Sequence, residues 1–152
     1  MRTTTDIRFF VDAHPAQVMD ALTAIESLPE WSPSYRDVRI ASRDAQRMPR
    51  RVFVKAELLG SSDLQVLEYE WTDSRSSWTV TDSTRGVRGG GWFEISDGIE
   101  GTDVWYHTEL YLPIPVPGFL LKRTVRKANE VVVDCFIDFA ERFPESESYQ
   151  SI

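Results

Sequence analysis

Two histidines, His14 and His107, and one cysteine, Cys135, are the side chains here most readily turned to proton transfer or nucleophilic attack. Imidazole titrates near neutrality, so each histidine is a candidate general acid or base. Their positions point to simpler roles. His14 directly precedes Pro15 at the start of a helical pattern, and His107 alternates with Tyr106 along a strand pattern, which turns it to the opposite, outward face. One cysteine and two distant histidines cannot supply the three or four converging ligands of a metal site, and neither a metal nor another cofactor is expected. A lone cysteine also rules out an intramolecular disulfide. The chain has no Gly-x-Ser-x-Gly elbow. Its run Gly89-Gly90-Gly91 lacks the Lys-Ser/Thr of a phosphate-binding loop and falls inside a strand pattern, where glycine lets a sheet bend or another backbone or a ligand come close. No catalytic residue is assigned on these grounds.

The aromatic side chains carry more information. Trp31, Tyr35, Trp78, Phe93 and Tyr106 read either as core filling or as the walls of a cavity. Trp31 and Tyr35 favour the cavity, because both fall in a proline-bounded connection where core tryptophans are seldom found. The hydroxyls of Tyr106 and Thr108 would orient a ligand's oxygen in an otherwise apolar pocket. Trp92 and Trp105, by the same alternation, face outward as an exposed cross-strand pair, a candidate patch for self-association and so for a homodimer.

The elements that must position these residues follow from periodicity. A strand-like run, Asp6 to Asp12, is followed by Pro15 in a first helical turn and by Val18, Met19, Leu22 and Ile25 at helical spacing, ending before Leu28-Pro29. Period-two alternation then marks strands at Arg36–Ser42, Arg51–Leu59, Leu64–Thr72, Ser77–Ser83, Val87–Ile95 and Thr102–Leu112, joined by turns short enough to require an antiparallel meander. The three prolines of Pro113–Gly118 form a crossing loop. After Gly118 one long helix is predicted, its apolar stripe being Leu121, Val125, Ala128, Val132, Cys135, Phe139 and Phe143, with Asn129 beside it. Such a stripe can be hidden only on the sheet, which predicts an α+β domain with a curved antiparallel sheet around that helix.

The chain has 152 residues, enough for one domain over 1–143, with a loose acidic tail over 144–152. Against 24 acidic residues stand 17 basic ones, a net charge of −7 that repels nucleic acid. No signal-peptide pattern or bilayer-length apolar run is present, and a cytoplasmic location is expected. Lys122, Arg123, Arg126 and Lys127 crowd the start of the last helix against the macrodipole, where they could attract an acidic ligand or, with Phe119 and Leu120, make transient contact with a membrane surface.

Taken in order, Asp12-Ala13-His14-Pro15-Ala16-Gln17-Val18, Leu28-Pro29-Glu30-Trp31-Ser32-Pro33, Tyr69-Glu70-Trp71, Trp78, Asp97-Gly98, Gly101-Thr102-Asp103-Val104-Trp105-Tyr106 and Pro117-Gly118 resemble the polyketide cyclase/dehydrase and lipid-transport family, within the START-like, helix-grip superfamily of Bet v 1-like domains. The resemblance implies a seven-stranded antiparallel sheet wrapped around a long C-terminal helix, one or two short helices after the first strand, and a deep apolar cavity between sheet and helix. It implies a protein that binds or carries a small hydrophobic molecule, lipid-like or polyketide-like. A cyclase/dehydratase-type enzyme using the same cavity, and a protein-interaction module, remain as alternatives. Lining residues are expected to be Trp31, Tyr35, Val54, Trp78, Phe93, Tyr106, Leu121, Val125, Val132 and Phe136.

Overall fold

The computed structural model describes residues 1–113 and 115–144. The tail expected to be loose lies outside them from residue 145 onward. Strand β1 (Arg2–Val11) leads to helix α1 (Pro15–Thr23), a 3₁₀ turn (Ile25–Ser27) and the four-residue helix α2 (Leu28–Trp31). Strands β2 (Tyr35–Arg43), β3 (Pro49–Leu58), β4 (Ser61–Trp71), β5 (Arg75–Ser83), β6 (Arg88–Gly98) and β7 (Gly101–Tyr111) follow, and helix α3 spans Gly118–Arg142. The seven strands form one antiparallel sheet in the order β1-β7-β6-β5-β4-β3-β2. Five successive hairpins build β2 to β7, and β1 closes the far edge against β7. Helix α3 packs on β1 and against α1 and α2. Among the described residues no helix is long and apolar enough to cross a membrane.

Local chemistry explains the boundaries. His14 caps α1, its Nδ1 accepting the Ala16 N–H at 3.2 Å, and Pro15 takes the first helical position, where its missing N–H leaves no bond unmade. The sequence pattern ends this helical region before Leu28-Pro29, but Pro29 instead sits in the first turn of α2, so the chain bends into a second helix there. Trp31 therefore closes a helix and is 4 % exposed, rather than lying in a loop. Strand β1 begins four residues before the run at Asp6, because Thr3 and Thr5 also point inward and the whole segment from Arg2↔Tyr111 to Val11↔Thr102 is paired.

The helical stripe is rotated from the one the apolar residues suggest. Buried on α3 are Leu121, Asn129, Val132, Val133, Phe136 and Ala140, whereas Ala128 is exposed and Cys135, Phe139 and Phe143 are only half-buried. A polar side chain holds the centre of the buried face because β7 supplies its hydrogen-bond partners. The largest core cluster joins α1, α2, the inner faces of β6 and β7 and the second half of α3, through Val18, Leu22, Trp31, Phe93, Val104, Tyr106, Val132 and Phe136.

Glycines 89–91 are required by approach of neighbouring strands. A Cβ at Gly90 would clash with the Trp78 carbonyl oxygen, and one at Gly91 with the His107 carbonyl oxygen. On the outer face Trp92 lies directly opposite His107, whose ring stacks on it at 4.0 Å, while Trp105 meets Trp92 edge to face at 5.4 Å. The pair is not the exposed patch that alternation alone suggests. Guanidinium groups of Arg75 and Arg8 cover the two indoles at 4.6 and 4.5 Å, leaving both half-buried. Asp6 Oδ1 accepts the Trp105 indole N–H at 2.7 Å and lies 2.8 Å from His107 Nδ1. The bond to His107 does most to hold the Asp6 carboxyl below its usual range, against the opposing effect of burial.

Candidate functional site

Between the sheet and α3 lies a cavity of about 150 Å³. Its walls come from the α2–β2 connection (Ser32, Ser34, Tyr35), from β3 to β7 (Ala56, Leu58, Gln65, Trp78, Val80, Gly90, Tyr106, Thr108 and Leu110, with the charged Glu57, Arg88 and Glu109) and from one side of α3 (Val125, Ala128, Asn129, Val132). A smaller void of about 40 Å³ adjoins it, sharing Ser32, Tyr35, Trp78 and Tyr106, and reaches Leu22, Ile25, Leu28, Trp31, Tyr69, Ser76 and Phe93. The wall between Trp78, Phe93 and Tyr106 is aromatic, with Phe93 and Tyr106 stacked at 4.4 Å and Trp78 tilted against them at 5.9 and 6.4 Å.

Five of the ten residues expected as lining, Tyr35, Trp78, Tyr106, Val125 and Val132, border the larger space, and Trp31 and Phe93 border the smaller. The other three lie elsewhere. Val54 is buried with Val52, Leu67 and Tyr69 further along the sheet; Leu121 packs with Val87 and Leu112 at the start of α3; Phe136 is fully buried among Trp31, Phe93 and Phe9. Helical spacing groups Leu121 and Phe136 with Val125 and Val132, but both are enclosed by neighbouring side chains, so neither meets open space.

The buried polar residues that line the cavity, Ser32, Gln65, Tyr106 and Asn129, are neutral. Asn129 donates through Nδ2 to Thr108 Oγ1 at 2.8 Å, and the Tyr106 hydroxyl donates to Asn129 Oδ1 at 3.3 Å. Loss of solvation raises the Tyr35 phenol to about 12, and burial raises those of Tyr106 and Tyr69 as well. At neutral pH these tyrosines are hydrogen-bond donors and not bases. The charged residues that border the cavity are Glu57 and Glu109, both part-exposed, and the exposed Arg88; Glu57 pairs with Arg36 at 3.0 Å and Glu109 with Arg2 at 3.3 Å. The Trp31 indole N–H, in a residue bordering the inner void, is buried without an acceptor. Among the described residues no group of three or more His, Cys, Asp or Glu side chains could hold a metal ion.

Over residues 2–139 the sequence matches the family described as polyketide cyclase / dehydrase and lipid transport. The chain belongs to this family. Its fold is the START/Bet v 1 helix-grip fold. A START superfamily protein from Mycobacterium smegmatis superposes with a TM-score of 0.79 at 16 % identity, covering 93 % of this chain and 97 % of that one. The ZhuI aromatase/cyclase from Streptomyces sp. R1128 does so with a TM-score of 0.78 at 11 % identity, covering 93 % and 95 %. At such identities the likeness is one of fold. No curated protein matches the sequence.

In this member of the polyketide cyclase / dehydrase and lipid transport family, sequence reasoning placed Asn129 only beside the stripe and missed its central position. Replacing Asn129 by leucine is expected to cost about 1–2 kcal/mol in urea unfolding, because the Tyr106 and Thr108 hydroxyls lose their shared partner. Tyr106→Phe should cost less, since its bond is the longer of the two. An N129L protein as stable as the parent would show that the three groups are not coupled.

Proposed function

We propose that this protein binds or carries a small hydrophobic molecule, lipid-like or polyketide-like, between its sheet and α3. One observation carries the reading: an aromatic-walled space whose buried polar groups are uncharged, the charged residues that border it, Glu57, Arg88 and Glu109, being partly or fully exposed. Apolar burial against Trp78, Phe93 and Tyr106 would supply the affinity, on the order of 25 cal/mol per Å² before the cost of association. The Asn129–Thr108–Tyr106 group and the unpartnered Trp31 N–H offer a ligand's oxygen a place to bond, and orphaned buried donors are rare in native structures. Cyclase or dehydratase chemistry needs a group that moves protons near neutral pH. The inner tyrosines stay protonated there and the carboxylates are engaged at the rim, which favours carriage over catalysis.

The reading is tested by titrating the protein with 8-anilino-1-naphthalenesulfonate, a flat aromatic amphiphile that fluoresces in apolar surroundings. Val125 borders the cavity and is only half-buried, so a larger side chain there can fill the space without disrupting the core. Val125→Trp is expected to weaken probe binding at least tenfold while the circular dichroism spectrum is unchanged. Equal affinity in parent and variant would overturn the cavity reading.

A further inference from the structure

The sheet is not continuous around the cavity. Strands β5 and β6 pair from Arg75↔Glu94 to Thr79↔Gly90 and no further, although β5 runs on to Ser83 and β6 begins at Arg88. Beyond that point each strand keeps its other neighbour. β5 stays on β4 through the bulge that leaves Thr81 unmatched, to Gln65↔Ser83, and β6 stays on β7 from Arg88↔Tyr111 onward. Two paired ribbons therefore diverge, leaving a wedge whose facing backbone groups have no partner strand.

This wedge opens into a concavity of about 1110 Å³ on the outside of the protein. Trp78, Val80, Val87, Arg88, Gly90 and Glu109 border both that concavity and the internal cavity. By register, Trp78 opposes Gly91 on the inner face, whereas Gly90 opposes Glu109 and Arg88 opposes Tyr111 on the outer face. Residues of both faces border both spaces, so the two lie on either side of the gap where β5 and β6 part. The room between sheet and helix, about 150 Å³ with about 40 Å³ beyond it, is below the roughly 300–1,000 Å³ of pockets that hold a drug-sized ligand. A molecule of that size must extend beyond it.

We propose that the ligand is an amphiphile lying through the sheet, its apolar part against Trp78 and Tyr106 and its polar end in the wedge between β5 and β6. The wedge suits a polar end. Unmatched strand N–H and C=O groups face it, and Arg88 makes no ion pair among the described residues. Of the two carboxylates on its border, Glu109 is held by Arg2 and Asp82 accepts the Ser83 N–H. An acidic or hydroxylated end group therefore meets an available cation and unmatched backbone donors.

This proposal rests on the cavity reading above, and the experiment separates the two. Extending the Thr79↔Gly90 register places Thr81 opposite Arg88 across the wedge. Thr81→Cys and Arg88→Cys, combined with Cys135→Ser, allow the wedge to be closed by a disulfide or by a short bis-alkylating linker, with closure confirmed by mass. The probe is again 8-anilino-1-naphthalenesulfonate, and each closed protein is compared with its own open form. Closure is expected to weaken binding at least tenfold, with reduction of the disulfide restoring it. If Val125→Trp abolishes binding while closure leaves it unchanged, the cavity reading stands and the wedge proposal is overturned. If neither change affects binding, both are overturned.

Discussion

Phe136→Ala is expected to lower the unfolding free energy by about 3–5 kcal/mol, the usual cost of removing a buried phenyl ring and leaving a cavity. For a chain of this length that corresponds to a fall in melting temperature of about 6–20 °C. The reasoning starts from position. Phe136 is fully buried in the second half of α3, and its ring meets Trp31 at 4.8 Å, Phe93 at 5.2 Å and Phe9 at 6.4 Å. These contacts tie the helix to α2, β6 and β1 at once, and no polar bond replaces them if they are lost. The flanking Val133 and Ala140 are also buried, so the helix has little freedom to shift and refill the space. Thermal unfolding followed by circular dichroism measures the effect. A loss below about 1 kcal/mol would mean that the site collapses around the smaller side chain.

That Phe136 serves packing and not the cavity wall shows where sequence reasoning reaches its limit. Period-two alternation correctly sends Tyr106 inward and His107 outward, because a strand's faces are fixed by parity alone. Helical faces are less sharply determined. A stripe drawn through apolar residues drifted toward Ala128 and Cys135, since nothing local tells that Asn129 will find Thr108 and Tyr106, twenty-odd positions earlier, waiting on β7. Helix α2 has four residues, too few to show a period, so Trp31 reads as a loop residue until its burial is seen. The glycine run signalled close approach, yet the point where β5 and β6 part depends on the bulge at Thr81 and on how both neighbouring strands twist. Such geometry belongs to the assembled sheet.

Asp63 has the second large effect, and its importance is equally hidden in a turn-like Ser61-Ser62-Asp63 sequence. The residue is 1 % exposed at the start of β4. Its carboxylate accepts hydrogen bonds from Ser83 Oγ and Thr84 Oγ1 at 2.7 Å, from Gln65 Nε2 at 2.8 Å and from the Arg85 N–H at 3.0 Å. These bonds fasten the end of β5 and the turn beyond it to β4, and so hold the tip of the wedge in place. Asp63→Asn keeps the volume but turns an amide N–H₂ toward donors. It is expected to cost about 2–4 kcal/mol at pH 7, because bonds to a charged acceptor are worth more than neutral ones.

The pH dependence of that cost identifies its origin. Burial alone would raise the Asp63 carboxyl, but the bonds from Ser83, Gln65, Thr84 and the Arg85 backbone outweigh it and hold the folded-state value below the ordinary one of 3.8. A carboxyl whose folded value is depressed adds stability that is fully present above the unfolded value and is lost as pH falls through the folded one. The stability gap between the parent protein and D63N should therefore be widest above pH about 5 and should shrink below about 4, as the carboxyl of the unfolded chain takes up its proton first and that of the folded parent only at lower pH. Urea unfolding at pH 7 and at pH 3 measures both ends. A gap of equal size at the two values would mean that shape and not charge makes Asp63 the clamp, and the hydrogen-bonded carboxylate would lose its place in the account of how β5 is held apart from β6.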